Sequence, residues 1–266
     1  MCRILSYAGP EIGLGAVVAE PEHSLVVQSY APRQMTSGVV NADGFGFAWY
    51  DPARQADPFV YRSILPIWND SNLATLAGYV RSTSLLAYVR SATPGQGLDI
   101  SNTQPFVSGR WSFVHNGVAD GFTTAEGRRL WRGLRSRLDD DADALIRGGT
   151  DSEYLFAWLI HHIDDTDPTA AVRRALALLA EALPGVAMRM NFVLGDGRRQ
   201  IAVRHAVGAE APSLYLLRDH SRFAGARLVA SEPLFDDPAW QPLPADTLLS
   251  IDDDPADGHR IHPIAA

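Results

Sequence analysis

Strand-like apolar runs, then helical segments, then strand-like runs again: this order limits the possible fold more than any other feature of the sequence. CRILSYAG (2–9), GFGFAWY (44–50), LLAYVRSA (85–92) and WSFVHNGVA (111–119) are short, apolar and punctuated by Gly and Asn. The arginine-rich stretch 125–145 predicts a surface helix or lid. In TDSEYLFAWLIHHI (150–163), Thr150 and Glu153 have capping-box spacing ahead of an apolar helical period. Pro168 then opens PTAAVRRALALLAEAL (168–183), with proline in the first turn, where its missing N–H costs nothing. Strand patterns resume in MNFVLGDG (190–197), RQIAVRHAV (199–207), SLYLLRD (213–219) and RLVASEPL (227–234), and GDGRR predicts a hairpin turn. Segregated strands and helices predict an α+β domain with helices packed on largely antiparallel sheets, not a doubly wound parallel sheet. One domain is expected over residues 2–250, followed by an acidic, turn-rich tail at 251–266 expected to be flexible.

With 266 residues, 46% of them hydrophobic and 20% charged, the chain can bury a full core. A net charge of −8 argues against a nucleic-acid partner, which would call for a clustered basic face. No apolar run approaches the ~20 residues that span a bilayer, and the N-terminus lacks a secretory h-region. The expectation is a cytoplasmic protein with no membrane partner. One cysteine permits neither an internal disulfide nor a cysteine-built metal cage.

That cysteine is Cys2, directly behind Met1. It reads as a packed, inert thiol on the first strand or as a nucleophile. Removal of Met1 would leave thiol and α-amine on one residue, with ordinary values near ~8.5 and ~8, so the amine can act as base. Asn116-Gly117 reads as a hairpin turn, or as an oxyanion hole made by a side-chain amide and a backbone N–H. Arg90, closing an apolar run, needs a carboxylate, either from this chain or from a ligand. Asp151, in the first turn of the capped helix, opposes the helix dipole or holds a ligand ammonium. Jointly these residues offer a thiol, an oxyanion hole and two clamps of opposite charge, a set suited to a glutamyl group.

In this order, MCR, NADGFGFAWY, VRSATPG, FVHNG and TDSE resemble the motifs of class II glutamine amidotransferases, N-terminal-nucleophile amidohydrolases. The resemblance implies a four-layer αββα sandwich, with two mainly antiparallel sheets between helices. It implies that Cys2 attacks a γ-glutamyl carbonyl while Asn116 and Gly117 hold the oxyanion. Arg90 would bind the α-carboxylate and Asp151 the α-amino group, and Asn41, Asp43 and Gly44 would belong to the loop that shapes the pocket. It also implies a small-molecule γ-glutamyl substrate, no metal and no cofactor. Two departures stand out: Tyr88 replaces a histidine frequent two residues before the arginine, and Ile4 replaces another. Both are expected to be structural.

PEHSLVVQSYAPR, LPIWND and LVASEPLFDDPAW are similar to a stand-alone branch that hydrolyses a γ-glutamyl conjugate in ergothioneine biosynthesis. Other enzymes of that route would be its partners; the oligomeric state is open. The leaving side would carry a trimethylammonium, which aromatic faces bind. Trp49, Trp68 and Trp111, with Tyr50, flank the site motifs and are candidates for such a surface, with core packing as the alternative. His115, beside Asn116, is expected to make a structural hydrogen bond. The rival functions are a glutaminase that feeds ammonia to a separate synthase, a catalytically dead sensor of glutamyl metabolites, and an acylase for a different amide.

Overall fold

The computed structural model describes residues 1–252 and 259–264. Among them, one sheet contains β1 (Arg3–Gly13), β2 (Phe45–Trp49), β3 (Phe59–Ser63), β4 (Arg81–Val89), β9 (Tyr215–Arg218), β10 (Arg227–Ala230) and β11 (Gln241–Pro242). Their spatial order is β11-β9-β10-β1-β4-β2-β3. The second contains β5 (Phe106–Ser108), β6 (Trp111–Ala119), β7 (Met188–Gly195), β8 (Arg199–Val207), β12 (Thr247–Asp252) and β13 (His259–Pro263), in the order β13-β12-β8-β7-β6-β5. The strand pairings in both are antiparallel.

The sheets stack face to face, and helices cover each outer face. On the first lie α1 (Gly15–Val18), α2 (Leu25–Tyr30) and α3 (Leu73–Tyr79); on the second lie α4 (Ala125–Arg135), α6 (Asp151–His162) and α7 (Pro168–Ala182), with α5 (Asp140–Asp143) against α6. The result is the αββα sandwich, with three apolar layers in its core. Strand alternation divides the residues among them. On β1, Leu5 and Tyr7 face the outer layer, whereas Ile4 packs between the sheets beside Leu86, Tyr88, Val114 and Val193. Cys2 shares the parity of Ile4 and packs against that middle layer.

Local signals explain the long helices. Thr150 and Glu153 form the expected capping box at α6, and Asp167 caps α7 ahead of Pro168. The 125–145 stretch becomes α4 and α5, and Trp131 and Leu134 anchor α4 in the core. The GDGRR turn joins β7 to β8, where Gly197 takes φ +87° and the Asp196 carboxylate accepts from the Arg198 and Arg199 N–H groups. Asn116-Gly117 is not a turn. Both residues lie inside β6, paired with Asn191 and Met190 of β7. Much of the tail expected to be flexible, 253–258 and 265–266, lies outside the described residues; His259–Pro263 pairs with β12. No helix among the described residues is long and apolar enough to cross a membrane.

Candidate active site

A cavity of about 1080 Å³ opens where the start of β1 and the end of β4 meet β6 and the N-terminus of α6. The register Arg3↔Val89 runs the start of β1 alongside the end of β4, so Cys2 and Arg90 emerge together. Cys2 Sγ lies 3.0 Å from the Tyr88 hydroxyl, 3.4 Å from the Ser91 N and 3.5 Å from the Ser91 carbonyl oxygen. The Met1 α-amine donates to the Ser37 carbonyl at 2.7 Å, and the Thr36 hydroxyl donates to the Met1 sulfur at 2.7 Å. Burial pushes that amine below its ordinary value, partly offset by Cys2.

Arg90 is 2% exposed and has no ion-pair partner among the described residues. Its Nη1 donates to the Gly97 carbonyl at 3.2 Å and, more weakly, to that of Asp43 at 3.5 Å, while Nη2 has no partner. A buried, half-satisfied guanidinium is costly, and the cavity it lines is where a carboxylate can complete it. Asp151 is its counterpart. Its Oδ2 accepts from Ala119 N at 2.7 Å, and its Oδ1 accepts from Ser152 N at 3.0 Å and Gln96 Nε2 at 3.5 Å. No cation neutralises it among the described residues. Asn102 ties the two clamps together: its amide donates to the Gly97 carbonyl and its oxygen accepts from Gly149 N, both at 2.9 Å. The composition of the sequence gave no hint of that bridge.

Asn116 is fully buried, yet neither end of its side-chain amide has a partner. Gly117 lines the cavity, and a Cβ there would strike the Arg189 carbonyl and the His115 ring. Glycine is therefore what lets β7 and the His115 ring approach the strand this closely. His115 is tied at both ring nitrogens. Its Nε2 is 3.1 Å from the Arg189 carbonyl and its Nδ1 2.9 Å from the Ser152 hydroxyl, so Nε2 carries the proton and Nδ1 accepts. Burial lowers its affinity for a second proton, against the pull of Asp151. The hydrogen-bonding role expected of His115 matches this geometry.

Asn41, Asp43 and Gly44 stand behind the cavity wall. Asp43 Oδ2 accepts from Ala92 N at 2.7 Å, the Gly44 carbonyl accepts from Arg90 N at 2.8 Å, and Asn41 N donates to the Ser29 carbonyl at 2.6 Å. Asp43 and Gly44 fix the strand end that carries Arg90, and Asn41 ties the same loop to α2. The tryptophans proposed for the leaving group do not line the cavity. Trp49 stacks on Phe59 beside the outer layer, Trp111 is core under the helices, and Trp68 is 40% exposed with its edge on Tyr30. Proximity in sequence to site motifs is not proximity in space here: Trp49 and Trp111 leave their strands on faces turned from the cavity, and Trp68 lies in a short helical turn at Ile67–Asn69. Tyr50 is likewise structural, with its hydroxyl bonded to Ser112 and the Gly195 carbonyl. Tyr88, expected only to support its strand, touches the sulfur.

The family model for class-II glutamine amidotransferases matches residues 14–259. The chain is 32% identical over 251 residues to the γ-glutamyl-hercynylcysteine sulfoxide hydrolase of Mycobacterium tuberculosis (strain CDC 1551 / Oshkosh), covering 94% of this chain and 93% of that one. It is 32% identical over 253 residues to the protein of the same name from Mycolicibacterium smegmatis, covering 95% and 96%. Among solved structures, a glutamine aminotransferase class-II domain protein from Silicibacter pomeroyi superposes with a TM-score of 0.72 at 28% identity, with both chains covered completely. The glutamine phosphoribosylpyrophosphate amidotransferase of B. subtilis shares the fold at a TM-score of 0.68 and 16% identity, over 99% of this chain and 49% of that one. Sandwich, cavity and sequence agree, and the chain belongs to the class-II glutamine amidotransferases, the cysteine N-terminal-nucleophile amidohydrolases.

Proposed function

We propose that this protein hydrolyses the γ-glutamyl amide of γ-glutamyl-hercynylcysteine sulfoxide, releasing glutamate, in the cytoplasm and beside other enzymes of ergothioneine biosynthesis. The observation that carries this reading is the pair Arg90 and Asp151. They are buried charges of opposite sign on one cavity, without an ion partner among the described residues. A glutamyl α-carbon offers one carboxylate and one ammonium, and so completes both. Bile-acid and penicillin-type amides lack that zwitterion.

Cys2 becomes the first residue once Met1 is removed. Its α-amine takes the thiol proton and Sγ attacks the γ-carbonyl carbon, forming the C–S bond as the carbonyl electron pair moves to oxygen. The Asn116 side-chain N–H and the Gly117 backbone N–H receive that oxyanion. Collapse breaks the C–N bond, and the Cys2 ammonium returns its proton to the departing amine. Water then splits the thioester, giving glutamate and free thiol. Asp43 and Gly44 hold the Arg90 end of the site, with Asn41 anchoring their loop to α2. Two relatives that the chain covers almost end to end carry this conjugate in their names, which favours it over glutamine.

The test is a comparison of kcat/KM for the conjugate and for free glutamine, with glutamate release as readout. The conjugate is expected to be preferred by at least about 100-fold, and Cys2→Ala to lose activity by about 10³-fold or more. Equal or better turnover of glutamine would replace this reading with an ammonia-delivering subunit. Retention of Met1 in an active enzyme would sink the mechanism.

A further inference from the structure

Tyr88 precedes Arg90 by two residues, so strand parity puts both on the cavity face. Its ring packs in the layer between the sheets, and the whole residue is 2% exposed. Among the described residues its hydroxyl has one hydrogen-bond partner, Cys2 Sγ at 3.0 Å. A buried hydroxyl proton needs an acceptor, and no carbonyl or carboxylate is offered to this one. The thiol proton has an alternative, the Ser91 carbonyl at 3.5 Å. The hydrogen bonds therefore run from Tyr88 O–H to sulfur and from the thiol to Ser91. When the thiol proton leaves for the Cys2 amine, sulfur retains two donors, the Tyr88 hydroxyl and the Ser91 N–H at 3.4 Å. Hydrogen bonds to the charged form stabilise it.

We infer that the Tyr88 hydroxyl is a catalytic hydrogen-bond donor that stabilises and aims the Cys2 thiolate. Tyr88 keeps its own proton throughout; the proton that moves is the thiol's, and no bond to the phenolic oxygen forms or breaks. Burial pushes the phenol well above its ordinary value, reinforced by Cys2 and Asp151 and opposed by Arg90, so it remains protonated where the thiol ionises. The charged groups facing the cluster are Arg90 on β4, Asp151 on α6, and Arg3 and Asp43 around the Met1 amine. All of them persist in a Tyr88→Phe variant, so the comparison isolates the hydroxyl.

The inference rests on Cys2 being the nucleophile of the proposed reaction, and its test reads the sulfur without any γ-glutamyl substrate. Enzyme shown by intact mass to lack Met1 is alkylated with iodoacetamide from about pH 5 to about pH 10, as wild type and as Tyr88→Phe. The midpoint of the variant's profile is expected to rise by about one pH unit, with alkylation near pH 7 slowed up to about tenfold. Superimposable profiles overturn the proposal, whatever the enzyme hydrolyses. A shifted profile in an enzyme that fails to release glutamate supports Tyr88 while defeating the proposed reaction. Should Tyr88→Phe not fold, 3-fluorotyrosine at position 88 serves instead. Its more acidic hydroxyl is expected to lower the midpoint, and an unmoved midpoint overturns the proposal.

Discussion

Two guanidinium groups lie buried at the adjoining ends of β1 and β4, on opposite faces by strand parity, and the fold treats them differently. Arg3, completely buried on β1, has Glu232 at 3.5 Å, near enough to pair in charge although none of its guanidinium nitrogens is hydrogen-bonded. That carboxylate is itself gripped by His23 Nε2 at 2.7 Å and by the Arg33 and Gln34 N–H groups at 2.8 and 2.9 Å. Arg90, at the end of neighbouring β4, meets only carbonyl oxygens and keeps a nitrogen unpartnered. Burial of a charge costs several kcal/mol in either place. At Arg3 the chain offsets part of that cost with its own carboxylate, though burial still lowers the guanidinium's hold on its proton; at Arg90 it supplies no carboxylate among the described residues. A buried charge thus marks a site only when the protein has declined to neutralise it.

Exchanging the two losses should separate them most sharply. Arg90→Ala is expected to lower kcat/KM by about 10²–10³-fold while leaving the melting temperature unchanged or slightly higher, since an uncompensated charge is removed. Glu232→Ala strands the Arg3 charge and should cost about 3–5 kcal/mol of stability. Kinetic and thermal assays on both variants check this, and a destabilised Arg90→Ala would erase the distinction. A smaller effect concerns pH. Burial pushes the Glu232 carboxyl up, but the His23 and backbone hydrogen bonds and the Arg3 charge together outweigh it and hold the group below its ordinary value. A carboxyl depressed on folding contributes stability above its unfolded value, and that contribution fades as pH falls through the folded value. The stability gap between wild type and Glu232→Gln should therefore be full near neutrality and narrow below about pH 4 in denaturation titrations. The smallest effect is expected at Trp68→Ala, which touches neither arginine. Its kcat/KM should stay within about twofold of wild type, and a larger loss would return the leaving-group surface to the tryptophans.

The contrast between the arginines was only half legible in the sequence. Arg90 stood out because it closes an apolar run, and Asp151 because a capping box fixes its place on α6. The α+β class was legible from segregated periodicities. Three things were not. The helices α1, α2 and α3 span four to seven residues, too short to show a helical period. Asn116-Gly117 carries a local turn signal that the pairing of β6 with β7 overrides. The Arg3–Glu232 knot joins residues at opposite ends of the chain, a link no local pattern encodes. Tyr88 illustrates a fourth kind of miss: parity with Arg90 pointed it at the cavity, but only the register of β1 against β4 brings sulfur to its hydroxyl.

The central place of β1 has a bearing on the order of events during synthesis. The first strand made is flanked by β4 and by β10, and Leu5 pairs with Ala87 on one side and Ala230 on the other. The ribosome must add more than two hundred further residues after Leu5 before that second neighbour exists. Through that interval the first strand cannot be seated between both of its final neighbours. In the folded chain Met1 lies against Thr36 and Ser37, at the cavity that Cys2 lines. The sheet order thus makes completion of the first strand's surroundings one of the last events of synthesis.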